Sequence, residues 1–133
     1  VKQLELEIAS RKKFEAIDIT GLVEKEVAES KISDGLVFVF LPHCTCALVV
    51  NEFEPNIVED YEKMFSSLGS RDWRHDKIDD NAAAHLFSAV AGCEKFFLVR
   101  QGSLVLGTWQ KIILLELDGP RRRKIMLSFV ESL

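Results

Sequence analysis

The chain has 133 residues, 47% of them hydrophobic and 29% charged, the balance of a single globular domain over 1–133 rather than of a disordered segment. A formal charge of −4 and a pI of about 5.4 speak against nucleic acid as a partner, because the only basic cluster, Arg121 to Lys124, is short and isolated. No apolar run is long enough for a membrane span, the opening residues lack an apolar signal core, and three cysteines do not make a disulfide framework, so a cytoplasmic, reducing setting is expected.

In chain order, Leu4, Leu6 and Ile8 alternate with Gln3, Glu5 and Glu7, which predicts a half-buried strand. A second extended stretch covers about Phe14 to Ile19. Thr20 is placed to cap a helix from Gly21 to Lys31 with Leu22, Val23, Val27 and Ala28 inward. The run Leu36 to Leu41 is continuous and β-prone, which predicts a strand covered on both faces. Pro42 interrupts it, and Thr45 to Asn51 resumes as a strand. Pro55 suits a first helical turn, Ile57, Tyr61, Met64 or Phe65, and Leu68 keep helical spacing, and Gly69 closes that helix.

A polar stretch from Ser70 to Asp80 carries Trp73 and His75. Asp80 or Asn81 then caps a third helix, Ala82 to Ala91, ending at Gly92; it is apolar nearly all round and is expected to be buried. Strands follow over Lys95–Arg100, Leu104–Leu106, Gln110–Leu117 and, after a tight Asp118-Gly119-Pro120 turn, Arg122–Val130. Strands at both ends with helices between them predict an α+β domain, two largely antiparallel β-sheets forming a sandwich with about three helices.

The only three histidines, His43, His75 and His85, each lie beside an element boundary or within the third helix. Three imidazoles with one open position form a catalytic zinc site when they converge, whereas unrelated histidines would simply be satisfied separately. An imidazole on the apolar third helix must find some partner or bear a desolvation cost. Cys44, Cys46 and Cys93 read as small hydrophobes. Asn51, on a regular strand, shares the face of His43 and Thr45, and Glu54 is explained by the start of the Pro55 helix. Gln110, Glu116 and Asp118 have one parity in an otherwise apolar strand, so they serve a site or pair at an interface. Arg121 either pairs with Asp118 or grips a phosphate.

Pro42-His43-Cys44-Thr45-Cys46-Ala47, Asn51-Glu52-Phe53-Glu54-Pro55, His75 with Asn81 and Ala84-His85, Leu106-Gly107-Thr108-Trp109-Gln110 and Glu116-Leu117-Asp118-Gly119-Pro120-Arg121 together resemble the YjbQ family, often described as a secondary thiamine-phosphate synthase. The resemblance implies a two-sheet α+β fold assembled as a homotrimer. It also implies convergence of His43, His75 and His85 on a divalent metal: zinc is favoured by the imidazoles, with manganese or magnesium as other ions the site could take. The implied substrate is a small phosphorylated heterocycle, with Asn51, Glu52, Asn81, Gln110 and Arg121 as catalytic residues. A metal-dependent hydrolase and a non-catalytic trimeric small-molecule-binding protein are the alternatives. Where relatives commonly carry Thr-Thr after the first histidine, this chain has Cys44-Thr45, which removes one hydroxyl and adds a softer, oxidisable group.

Overall fold

The computed structural model describes residues 2–132. Its elements are β1 (Lys2–Ala9), β2 (Glu15–Asp18), α1 (Thr20–Ser30), β3 (Gly35–Phe40), β4 (Cys46–Asn51), α2 (Pro55–Gly69), a single 3-10 turn (Arg74–Lys77), α3 (Ala82–Ala91), β5 (Glu94–Arg100), β6 (Ser103–Leu104), β7 (Lys111–Glu116) and β8 (Arg122–Glu131). The strands form two antiparallel sheets, one of five in the order β1-β8-β3-β5-β6 and one of three in the order β2-β7-β4.

Strand parity explains the layering. On β8, Ile125, Leu127 and Phe129 turn inward, and on β3 Val37 and Val39 do the same. They meet Ile112 and Leu114 of β7 and Leu48 of β4 in one core between the two sheets. The opposite face of the smaller sheet, with Ala47, Ile113 and Leu115, packs under Phe65 of α2 and Ala83, Ala84 and Phe87 of α3. β7 is thus sandwiched between two cores, which is why its sequence is a continuous apolar run.

Several local expectations are corrected. Thr20 lies inside α1, not at its cap: Asp18 Oδ1 accepts the Thr20 N–H at 2.9 Å, while Thr20 Oγ1 accepts the Ile112 N–H at 2.8 Å and ties the helix start to β7. Ala28 faces solvent, whereas Val23 and Val27 are buried in the core and Leu22 packs against it half-buried. β3 is covered on one face only, since Phe38 and Phe40 are 42% and 41% exposed on the outer side of a sheet that has no second layer there. α3 is likewise buried on one side: it rests on β4 and α2, leaving Leu86 and Val90 open. Its first amide is bonded not by Asp80 or Asn81 but by Asp76, whose Oδ1 accepts the Ala82 N–H at 2.8 Å. α2 is capped by Glu54, which accepts from the Asn56 and Ile57 amides at 2.9 Å each. Those two hydrogen bonds, Asn56 foremost, hold the Glu54 carboxyl below the usual carboxylate range.

Candidate functional site

The register of β4 on β7 sets Cys46 opposite Glu116 and Asn51 opposite Lys111. The strand pair therefore has two ends, separated by about 17 Å at ~3.3 Å of rise per residue. Polar side chains collect at both.

At the Glu116 end, the carboxylate lies inside the sandwich and is fully buried, as is Arg123 from β8, which is 1% exposed. Arg123 Nε donates to Glu116 Oε1 at 2.9 Å, and its Nη2 donates to Glu116 Oε2 and, at 2.9 Å each, to the carbonyl oxygen and the Oγ1 of Thr45. Ser10 Oγ donates to Glu116 Oε1 at 2.7 Å and accepts from the Arg121 N–H at 2.9 Å. Burial alone would raise the Glu116 pKa, but the hydrogen bonds from Arg123, Ser10 and the Asp118 amide outweigh it and keep the group ionised. Burial would also lower the pKa of Arg123, and Glu116 reverses that.

This buried pair positions the turn above it. Glu116 Oε2 accepts the Leu117 and Asp118 amides at 3.0 Å each. Gly119 passes so close to the β1–β2 turn that a Cβ there would lie 2.3 Å from the Lys12 carbonyl oxygen and 2.7 Å from Ser10 Oγ, so only glycine fits. The Gly119-Pro120 bond is cis. Asp118 is then held between two partners: Asn81 Nδ2 donates to its Oδ2 at 3.0 Å, and Arg121 Nη2 does so at 3.0 Å. Arg121 thus takes the first of its two expected roles, the pair with Asp118.

His43, on the connection between β3 and β4, accepts the Lys124 N–H through Nε2 at 2.9 Å. Partial burial, and then the nearby Arg123 guanidinium, lower its pKa below the ordinary 6.5, consistent with a neutral ring that accepts. Cys44 beside it is exposed, whereas Cys46 is buried and its thiol is pushed up to about 12 by desolvation, as expected of an inert core cysteine.

The other two histidines meet each other. His75 on the 3-10 turn and His85 one turn into α3 stand edge to face with ring centroids 4.7 Å apart. His75 Nε2 is a buried atom with no hydrogen-bond partner; Asp79 Oδ2 is 3.8 Å away, beyond hydrogen-bond reach. Asn81 Oδ1 is also buried without a partner, although the side chain's nitrogen is used. The two orphaned atoms therefore flank the start of α3. For a metal, an orphaned imidazole nitrogen beside a second imidazole is a suitable donor pair. Among the described residues, however, no three histidine, cysteine, aspartate or glutamate side chains are gathered tightly enough to hold an ion. His43 Nε2 is committed to Lys124, so only its Nδ1 is open to a further bond.

The remaining expected residues lie at the far end of the strand pair. Asn51 is exposed, with Nδ2 donating to Tyr61 Oη and Oδ1 accepting from the Glu52 amide, at 2.8 Å each. Glu52 is exposed. Gln110 precedes β7 rather than belonging to it, and its Oε1 folds back to accept the Gly107 N–H at 2.8 Å. Parity with Glu116 therefore does not bury it, and Asn51 does not share a face with His43, because the regular strand begins only at Cys46. Arg123 and Ser10 were missed in the sequence. The signal for Arg123 was present: it is in phase with Ile125, Leu127 and Phe129, and an arginine in that phase needs a buried carboxylate.

The sequence from residue 4 to residue 132 matches the model of a protein family described as UPF0047 protein YjbQ-like. The chain belongs to that family. A UPF0047 protein of Archaeoglobus fulgidus is 44% identical over 126 residues, covering 93% of this chain and 98% of that one. The UPF0047 protein YugU of Bacillus subtilis is 36% identical over 122 residues, covering 89% and 91%. Among solved structures, a protein of unknown function from Sulfolobus solfataricus superposes with a TM-score of 0.94 at 41% identity, covering 98% of this chain and 97% of that one. A conserved hypothetical protein from Thermus thermophilus gives 0.84 at 32% identity, covering 96% and 99%. The likeness thus extends over the whole sandwich and both polar ends.

Proposed function

We propose that this chain is a metal-dependent enzyme acting on a small phosphorylated substrate at the Glu116 end of the β4–β7 pair. The observation that carries the reading is the orphaned His75 Nε2 beside the His85 ring, next to the equally orphaned Asn81 Oδ1. Buried polar atoms without partners cost on the order of 1–3 kcal/mol each, and two at one helix start are compensated when a ligand supplies the missing bonds.

In this reading His75 and His85 hold a divalent ion, with zinc favoured by imidazole donors and manganese or magnesium as alternatives. His43, whose Nδ1 is the nitrogen not engaged by Lys124, is the third ligand of this reading only after moving towards the other two, with which it is not gathered. The ion would supply charge stabilisation for a leaving phosphate or diphosphate. Arg121, pinned on Asp118, presents its guanidinium edge to a phosphate group, and Asn81 orients the organic part. The synthase description often given to the YjbQ family names one reaction: a thiazole nitrogen forms a bond to the pyrimidine's methylene carbon as the carbon–oxygen bond to diphosphate breaks, the bonding pair leaving with diphosphate. That chemistry needs positioning and anion stabilisation rather than a strong base. In hydrolysis, the alternative at the same residues, water takes the place of the thiazole.

A homotrimer completes the proposal. The outer face of the five-stranded sheet carries Phe38, Phe40, Phe96, Leu98 and Met126, all at least 37% exposed, a patch suited to contact between copies. Asn51, Glu52 and Gln110 are then free to complete the site of a neighbouring copy, which their distance from the histidines within one chain otherwise leaves unexplained. A cytoplasmic setting remains part of the proposal on the cysteine usage of the sequence; no helix among the described residues is long and apolar enough to cross a membrane.

Elemental analysis of untagged protein tests the reading. Near one divalent ion per chain, lost in His85→Ala, is expected, and incubation with the two thiamine precursors should yield thiamine phosphate in a metal-dependent way. A wild-type protein that takes up no ion from a panel of divalent salts sinks the metal centre. A loaded protein that makes no thiamine phosphate but hydrolyses phosphate esters moves the assignment to the hydrolase.

A further inference from the structure

A second concave surface lies on the other side of the helical layer. Between α2 and α3 runs an open groove of about 790 Å³, walled by Tyr61, Met64, Leu68, Trp73, Leu86 and Val90. Its apolar side chains stand open, Val90 at 90% and Met64 at 55% exposure. Trp73 Nε1 is already engaged, donating to the Leu68 carbonyl at 2.8 Å, so the indole offers the groove a ring surface rather than a donor. Its lining includes the Tyr61 that receives Asn51 and Trp73, two residues before His75.

The charges on its rim are not neutral. Lys63 and Arg71 line it with Asp60 as the single acid, and among the described residues neither cation lies within ion-pair distance of any carboxylate. They are eight positions apart, Lys63 within α2 and Arg71 just past its end. On a chain of net charge −4, an apolar channel edged by two unpaired cations favours anionic over cationic occupants. Its volume is in the range of small-molecule sites and about twice the 390 Å³ of the hollow between Phe38, Phe40 and Met126 on the outer sheet face.

We propose that the α2–α3 groove binds a small anionic amphiphile, its hydrocarbon body along Met64, Leu86 and Val90 and its acidic head at Lys63 and Arg71. The shared chemistry is an apolar chain or ring ending in a carboxylate or a phosphate monoester. The inference goes beyond the metal reading and stands without it.

Only two tryptophans are present, so Trp109→Phe leaves Trp73 as a fluorescence reporter inside the groove. That variant is titrated with decanoate, decyl phosphate and decanol below their aggregation limits, with and without prior chelation of metals. A saturable Trp73 change with either anion, at least tenfold tighter than with decanol and unaffected by chelation, is expected; the preferred anion identifies the head group. Adding Lys63→Glu and Arg71→Glu should weaken the anion at least tenfold and leave decanol unchanged, with the circular dichroism spectrum retained. Equal binding of decanol, no saturable change, or insensitivity to the two charge reversals overturns the proposal. So does a Trp73 signal that follows protein concentration alone, with association seen in sedimentation, because the groove is then filled by another copy. Failure of the metal reading would instead appear in elemental analysis and leave these titrations untouched.

Discussion

The two ends of the β4–β7 pair hold their polar residues in opposite ways. At one, Glu116 and Arg123 are buried inside the sandwich and satisfy Thr45, Ser10 and two successive backbone amides, Leu117 and Asp118, of the turn that carries Asp118 and Arg121. At the other, Asn51, Glu52 and Gln110 are exposed and make short-range hydrogen bonds that fix little beyond themselves. The first is a preorganised frame, positioned before any ligand arrives; the second has the form of a surface that acquires its geometry from something docked against it. The difference can be broken or sharpened experimentally, beginning where the effect should be greatest.

The buried pair should dominate stability. Glu116→Gln leaves the Arg123 charge inside the core without a counter-charge, and such a disruption typically costs about 3–5 kcal/mol. Urea unfolding of wild type and variant reads the loss directly. A cost below about 1 kcal/mol would mean that Arg123 finds water or another partner, and the contrast between the two ends would collapse.

Acid should act through the same frame, with a smaller and graded effect. In the unfolded chain Glu116 returns to its ordinary value of 4.5 and His43 to 6.5, both above their folded values. The unfolded state therefore binds more protons over each interval, and stability falls as pH falls. In metal-free protein the decline should begin as pH drops through 6.5 towards the lowered value of His43. It should steepen below 4.5 as pH approaches that of Glu116. His43→Gln should remove the upper part of the decline and leave the lower. A stability curve flat between pH 7 and pH 4 would contradict both assignments.

The frame was partly legible in the sequence, and its limits are instructive. Alternation in β1, the continuous run of β7 and the spacing of α2 revealed the elements because periodicity records burial within one element. Asp118-Gly119-Pro120 announced the turn, and the pairing of Asp118 with Arg121 is local enough to foresee. Ser10 with Arg121 spans 111 positions and Thr45 with Arg123 spans 78, so no local pattern could join them. The outer face of β3 misled for a related reason. Phe38 and Phe40 read as core because the sequence says that they avoid water, not whether the cover comes from this chain or from another molecule. The histidines divide along the same line: the meeting of His75 and His85 depends on how the polar stretch folds onto α3, which composition does not encode.

The smallest expected effect lies at the exposed end, and it discriminates most sharply between a structural and a functional role. Asn51→Ala removes two exposed hydrogen bonds and Gln110→Ala one, so each should change unfolding free energy by no more than about 0.5 kcal/mol. If these residues complete a neighbouring copy's site, turnover in whatever assay the metal-loaded protein supports should nevertheless fall at least tenfold. Mixed assemblies then give a direct check. Asn51→Ala combined with His85→Ala in different copies should recover part of the activity that neither variant shows alone, because some interfaces then pair an intact far end with an intact histidine pair. Recovery is forbidden if each chain carries a whole site, since neither parent contributes one. Full activity in Asn51→Ala and Gln110→Ala alone would instead confine the chemistry to the Glu116 end, leaving the far end a surface feature whose hydrogen bonds serve only its own loops.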